Sequence, residues 1–299
     1  MTTTQFDETA VRHDYADVNG TRLHYVSAGA GPLIMFLHGF PQCWYQYREQ
    51  LAEFSRDHHA VAPDLRGCNL SAKPEDVHAY TTCTMVEDIR RLALDLGHQR
   101  FVLVGHDVGG AVAWSFALHH PDMLRALVIL DAPHPALFDH ALHHDSDQQE
   151  ASRYMLTARR PDAVEFFSAN DFAVLRAALD EPFIQPGTLA RYVEGWQEPG
   201  ALAAALRWFH AEGQGPESPD GTPANGNVVR HISPLTVTVP TLVMHAGDDR
   251  WIRPASRRGL DRYVTDLTFI DVPGGTHWIT DEHPGLVNRT IRDHLGNGA

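Results

Sequence analysis

The sequence predicts an α/β protein: a largely parallel sheet covered by helices on both faces, split once by a helical insertion. Short β-rich runs alternate with amphipathic stretches from Arg22 to Asp131, and the strand pattern resumes at Thr241 after a long helical tract. A chain of 299 residues is long enough for one large domain carrying such an insertion.

The first strand-like runs are Arg22–Ser27, Leu33–Leu37, Ala60–Asp64, Phe101–His106 and Ala126–Asp131. Between two of them, Val86, Ile89, Leu92, Ala93 and Leu96 fall on one stripe at helical period, and Gly97 stops the helix. After Ala132-Pro133-His134-Pro135 the alternation ends. Helical patterns follow over Gln148–Ala158, Asp162–Phe167, Phe172–Leu179, Thr188–Trp196 and Ala201–His210, then a loop-like Gly213–Asn227 rich in Gly, Pro and polar residues. Thr241–Ala246 and Leu267–Asp271 return to strand, and a helix near Leu286–Leu295 closes the chain. Residues 1–135 and 232–299 are therefore expected to form the core and residues 136–231 an α-helical cap.

Composition narrows the function. A formal charge of −14, from 38 acidic against 24 basic residues, repels nucleic acid and anionic lipid surfaces, so the expected partner is a neutral small molecule. No apolar run has the length of a membrane span, and Met1–Asp7 lacks the basic and apolar parts of a secretory signal, so a cytoplasmic location is expected. Cys43, Cys68 and Cys83 are at no metal-ligand spacing and read as free thiols. His143-His144-Asp145 with Asp147 reads as a solvated loop, and neither a metal nor a cofactor is expected. Pattern does not decide between monomer and homodimer.

The chemistry centres on Phe101-Val102-Leu103-Val104-Gly105-His106-Asp107-Val108-Gly109-Gly110, a buried strand running through Gly-x-Asp-x-Gly into a helix, Ala111–His119. Such a turn lifts its central side chain clear of strand and helix, and the glycines admit the close backbone approach it requires. A serine there would attack a carbonyl. A carboxylate is suited instead to displacing a leaving group from saturated carbon, giving an alkyl ester on Asp107 that water must then cleave at the carboxyl carbon. That second step needs a base and an oxyanion hole. His277 in Gly274-Gly275-Thr276-His277-Trp278 follows the last strand-like run and is the candidate base. Asp248 and Asp249, after Thr241–Ala246, are candidates to orient it. His38-Gly39-Phe40-Pro41 follows Leu33–Leu37, and the N–H groups of Phe40 and Val108 are the expected oxyanion donors, since Pro41 has none.

These residues resemble the aspartate-nucleophile branch of the α/β hydrolases: epoxide hydrolases, haloalkane dehalogenases and haloacetate dehalogenases. The resemblance runs from about Asp14 to His294 and also includes Asp64-Leu65-Arg66-Gly67-Cys68-Asn69-Leu70-Ser71-Ala72-Lys73-Pro74. It implies the α/β-hydrolase fold with a helical cap and favours Asp249 over Asp248, because Asp249-Arg250-Trp251-Ile252 matches the family's pattern after the acid. Haloalkane dehalogenases usually place tryptophan after the nucleophile, and haloacetate dehalogenases place arginines on the elbow helix. Here Val108 follows Asp107, and residues 108–120 contain no arginine.

Similarity to epoxide hydrolases implies two cap tyrosines that protonate the departing oxygen. Tyr154 stands where the first is expected; the stretch matching the second reads Arg207-Trp208-Phe209-His210, with phenylalanine in place of the donor. The Trp208 indole or Tyr192 is a substitute to consider, although Tyr192 reads better as cap packing. Trp44, Trp208, Phe209 and Trp278, with Phe40, are expected to wall an apolar pocket. The resulting expectation is hydrolysis of a hydrophobic epoxide to a vicinal diol, with water as co-substrate. Dehalogenation at the same Asp107 is the alternative, and a non-catalytic ligand-binding relative the third reading.

Overall fold

The computed structural model describes residues 8–213, 215–218, 221 and 235–296. Eight strands form one sheet in the order β1-β2-β4-β3-β5-β6-β7-β8. They are β1 Arg12–Val18, β2 Thr21–Ala28, β3 Leu33–Leu37, β4 His59–Pro63, β5 Phe101–His106, β6 Leu124–Leu130, β7 Thr241–Ala246 and β8 Leu267–Val272. β1/β2 and β2/β4 pair antiparallel; the remaining pairs are parallel. Seven of the strands lie within two residues of the predicted runs. β1 has no counterpart among them: Arg-His-Asp-Tyr-Ala-Asp-Val shows no apolar alternation because this edge strand buries only Ala16 and Val18.

The sheet carries helices α1 (Arg48–Phe54), α2 (Thr82–Asp95), α3 (Asp107–His119) and α11 (Pro284–Gly296), the last preceded by the short α10 (Ile279–Glu282). The two-residue period of β3 sorts its side chains between faces. Leu33, Met35 and Leu37 join Ile89 and Leu92 of α2 and Val112 and Phe116 of α3, while Ile34 and Phe36 join Leu51 and Phe54 of α1 and Ile291 of α11. Each such side chain, removed from water, contributes about 1.5–3 kcal/mol, which is what holds the ends of the parallel strands in register.

Between β6 and β7 lie α4 (Pro135–His144), α5 (Ser146–Ala151), α6 (Arg153–Ala158), α7 (Ala163–Ala178), α8 (Pro186–Gln197) and α9 (Ala201–Glu212). His143 and His144 close α4 instead of lying in a loop, because His134 caps the helix with Pro135 at its first turn. The run Gln148–Ala158 breaks at Ser152 into α5 and α6. Within α7, Asn170, Asp171 and Phe172 take left-handed angles, so two helical stretches meet at a kink that matches the predicted gap. Most of the predicted loop Gly213–Asn227, and the predicted boundary at 232, lie outside the described residues.

These helices are hydrogen-bonded onto the sheet layer. Trp196 Nε1 donates to Pro41 O at 2.6 Å, Gln148 Nε2 to Trp251 O at 2.8 Å, and Trp278 Nε1 returns a bond to Ala178 O at 3.0 Å. No described helix is long and apolar enough to cross a membrane.

Candidate active site

The loops that leave the C-terminal ends of β3, β5, β7 and β8 converge, which is where open parallel sheets place their chemistry. β5 delivers Asp107 at φ +51, a left-handed angle that costs a non-glycine residue strain and turns its carboxylate out of the strand–helix corner. The corner closes only because glycine stands opposite. A Cβ on Gly109 would lie 2.2 Å from Leu37 O, and one on Gly39 would lie 2.6 Å from Asp107 Cβ. Gly109 N–H bonds His38 O at 3.1 Å, locking elbow to turn, and Phe40 N–H donates to Asp107 Oδ1 at 2.9 Å. His38 holds the turn from behind, its Nε2 accepting from Leu65 N–H at 3.0 Å.

β8 is followed by His277. Its Nδ1 lies 2.7 Å from Asp249 Oδ2, and its Nε2 faces Asp107 Oδ2 at 3.6 Å. Asp249 Oδ1 accepts the N–H groups of Trp251 and Ile252 at 2.7 and 2.9 Å, so its carboxylate is fully engaged and points inward, whereas Asp248 is exposed. Of the two candidate acids, the structure brings Asp249 to the histidine. His106 Nε2 lies 2.8 Å from His277 O and fixes the histidine's backbone to the elbow strand.

The charges sort accordingly. Burial pulls the His277 imidazole down, but the Asp249 and Asp107 carboxylates outweigh it and hold it well above the usual histidine range. Burial alone would raise Asp107; the His277 imidazole overcomes this and keeps it below the ordinary carboxylate range. Asp131, fully buried at the end of β6, is pushed well above the carboxylate range by burial and by the neighbouring Asp249, while the His277 imidazole holds Asp249 below it. Tyr154 is raised well above the phenol range, by burial first and then by the two carboxylates.

Asp107 and Tyr154 share a cavity with two lobes. One, about 60 Å³, is lined by Val108, Ala111, Phe138, Met155, Phe209 and Ile252; the other, about 170 Å³, by Phe40, Phe167, Leu175, Trp251, His277 and Trp278. Tyr154 meets Phe209 edge to face at 5.9 Å. Phe40, Phe209 and Trp278 thus line the cavity.

Two predicted wall residues do not. Trp44 opens a tight turn after the Phe40 loop and is buried against His13 and Tyr45, away from the cavity that Asp107 lines. Trp208 lies on the neighbouring face of α9 from Phe209, over His38, with its indole N–H donated to Arg66 O at 2.9 Å, so it has no donor left for a substrate. Adjacent positions on a helix diverge by about a quarter turn, and only one of the pair reaches the site. Tyr192 is buried away from Asp107, its hydroxyl donating to Asp281 Oδ2 at 3.1 Å and accepting from Gln42.

Residues not singled out as wall include Trp251, whose ring lies 5.2 Å from His277, and Met155, Phe138 and Phe167. Their signal was adjacency: Trp251 stands two residues after Asp249, and Met155 beside Tyr154.

Among the described residues, two clusters have donor atoms close enough for a metal, His38/Asp64/Cys68 and Asp131/His245/Asp249. Most of those atoms already hold protein hydrogen bonds. Asp64 accepts from Trp44 N–H and Asn69, and Asp249 serves His277 and two backbone amides. Such engagement fits scaffolding.

The family pattern described as the alpha/beta hydrolase fold matches residues 32–284. The chain is 32% identical over 295 residues to the AB hydrolase superfamily protein YfhM of Bacillus subtilis, covering 96% of this chain and 99% of that one. It is 33% identical to epoxide hydrolase 3 of Xenopus tropicalis, over 93% of this chain and 75% of the relative. The crystal structure of the Bacillus megaterium epoxide hydrolase in complex with an inhibitor superposes with a TM-score of 0.87 at 29% identity, over 95% of this chain and all of that one. By fold, site architecture and these relationships, the chain belongs to the α/β-hydrolase superfamily and, within it, to the epoxide hydrolases, which act on ether bonds.

Proposed function

We propose that this enzyme hydrolyses a hydrophobic epoxide to a vicinal diol through an alkyl ester on Asp107, with water as co-substrate and no metal or cofactor. The observation that carries the reading is the convergence on Asp107: a carboxylate on a strained elbow, Phe40 N–H on one oxygen, and a His277–Asp249 pair facing the other. An Asp107 oxygen bonds to a ring carbon, the ring C–O bond breaks, and the departing oxygen takes the Tyr154 phenolic proton. Water then adds to the Asp107 carboxyl carbon and gives its proton to His277 Nε2, while the Phe40 and Val108 amides hold the oxyanion. Collapse releases the diol oxygen, which takes the proton from His277. The new Asp107 carboxyl gives its proton to His277 Nε2, which faces it at 3.6 Å, and the starting charges are restored.

Esterification switches His277 on. It cancels the Asp107 charge that helped hold the imidazole protonated, so the imidazolium gives its proton to the Tyr154 phenolate across the cavity and becomes a base when a base is needed. The helices of residues 136–231 act as the cap, supplying Tyr154, Phe209 and much of the apolar wall. Dehalogenation is disfavoured, because Val108 offers no side-chain donor to a halide and α3 carries no arginine for a carboxylate. Asp107→Ala should abolish diol formation, and Tyr154→Phe should slow ester formation by about 10²-fold or more, roughly the worth of one positioned acid. Diol formed at the parent rate by Asp107→Ala would overturn the proposal.

A further inference from the structure

Helix α4 has two working faces. Phe138 reaches the cavity of Asp107, while three exposed histidines, His140, His143 and His144, line a separate groove of about 880 Å³ between α4 and the turns at Pro254–Ser256 and Leu260–Arg262. At about 100° per residue, His140 and His144 lie within about 40° of each other around the helix and at least about 120° from Phe138. Because His143 and His144 close a helix, His140 and His144 stand at i, i+4, the spacing at which two imidazoles on one helix share a metal ion.

The ring geometry suits that use. With metal–nitrogen bonds of about 2.0–2.1 Å, two imidazoles on one ion have ring centres about 4.5 Å apart when the bonds meet at right angles and about 5.2 Å apart when they are tetrahedral. The His140 and His144 centres are 4.6 Å apart. Among the described residues neither ring has a hydrogen-bond partner, so both have nitrogen lone pairs to offer, and both are exposed enough to turn. His143 is directed elsewhere: its Nδ1 donates to Asp139 O at 2.7 Å, and its ring lies 6.0 Å from that of His144. Asp139 and Asp145 on the groove wall offset Arg258 and Arg262 across it, and the C-terminal end of α4 turns its partial negative charge toward the pair. At about 30 Å³ per water, the groove has room for an ion with its waters.

We infer that His140 and His144 form a binding site for one divalent transition-metal ion of right-angle ligand geometry, copper or nickel, with water in its remaining positions. The site lies outside the catalytic cavity and is independent of the epoxide reading. Binding ties the last turn of α4 to the turn before it, at the point where the Asp145 side chain caps α5 by accepting from Gln148 N–H at 2.8 Å.

The test uses the full chain without an affinity tag. One equivalent of Cu2+ should give an electron paramagnetic resonance spectrum with two nitrogen ligands, and calorimetric titration with Ni2+ should show one site per chain. His140→Ala and His144→Ala should each weaken Ni2+ by about 10-fold or more, whereas His143→Ala should stay within about three-fold of the parent. Ni2+ should raise the melting temperature of the parent and slow amide exchange over residues 141–148, and do neither in His140→Ala, whose metal-free melt should match the parent's. The control is His59→Gln/His98→Gln, which removes another close pair, with ring nitrogens 3.3 Å apart, and should bind as the parent does. Equal binding by parent, His140→Ala and His144→Ala would mean adventitious binding among the chain's 20 histidines and would overturn the inference. Loss of the site in the control variant would place the ion elsewhere and overturn it as well.

Discussion

Replacing Gly39 with alanine probes the oxyanion turn without removing any functional group. The added Cβ would lie 2.6 Å from Asp107 Cβ and 2.9 Å from both Asp107 Oδ1 and His106 Nδ1. Ordinary contact begins near 3.4 Å, so turn and elbow must separate by about 0.8 Å. Neither is free to rotate away: Gly39 N–H is held by Gln46 Oε1 at 3.1 Å, and the elbow by Gly109 N–H on His38 O. A shift of that size along the 2.9 Å bond from Phe40 N–H to Asp107 Oδ1 takes it out of hydrogen-bonding range. Loss of one oxyanion donor lowers the rate of the step that needs it by about 10²–10³. That step is ester hydrolysis, so rapid-quench kinetics should show a modest fall in alkylation, a large fall in diol release, and ester accumulating on the enzyme. Overpacking should also cost about 1–3 kcal/mol of stability. Gly187→Ala is the control, because a Cβ there meets nothing within 4 Å. If Gly39→Ala released diol within three-fold of the parent rate, the proposed role of the Phe40 amide would be wrong.

Asp249→Asn should leave alkylation measurable and lower ester hydrolysis by about 10³-fold or more, since the amide can no longer hold His277 as the carboxylate does at 2.7 Å; single-turnover kinetics separate the two steps. Trp208→Phe should cost about 1–3 kcal/mol in denaturant melts by stranding Arg66 O, with kcat/KM little changed, because the indole does not reach the cavity. Acid should destabilise the fold through His106 and His134, which burial lowers to about 4 from 6.5. Their folded values are depressed, so the stability they contribute is complete above pH 6.5 and is lost as pH falls toward 4. At pH 5 each has forfeited about 2 kcal/mol, which melts of His106→Asn and the parent at pH 7 and 5 should resolve.

The elbow was legible because its chemistry is local: strand, Gly-x-Asp-x-Gly and helix follow in unbroken order, and the glycines serve contacts that the turn itself creates. The histidine and acid were legible as loop residues after recognisable strands, although choosing Asp249 over Asp248 drew on resemblance. In the structure the choice has a local cause, since the Trp251 and Ile252 amides turn the Asp249 carboxylate inward. The cavity wall was only half legible. Aromatic type does not state direction: Trp208 and Phe209 are neighbours in sequence, yet one bonds Arg66 and the other lines the site. Strand β1 was missed for a related reason, because an edge strand with five exposed residues carries no hydrophobic period to read.

The covalent intermediate is tested most directly by intact mass of His277→Gln incubated with styrene oxide. Without its base the enzyme should form the ester and fail to cleave it, so the protein should gain the mass of one whole epoxide, mapped by peptide digestion to Asp107. An unmodified protein that still releases diol would contradict the alkyl-ester mechanism, and an adduct on any other residue would remove Asp107 from its centre.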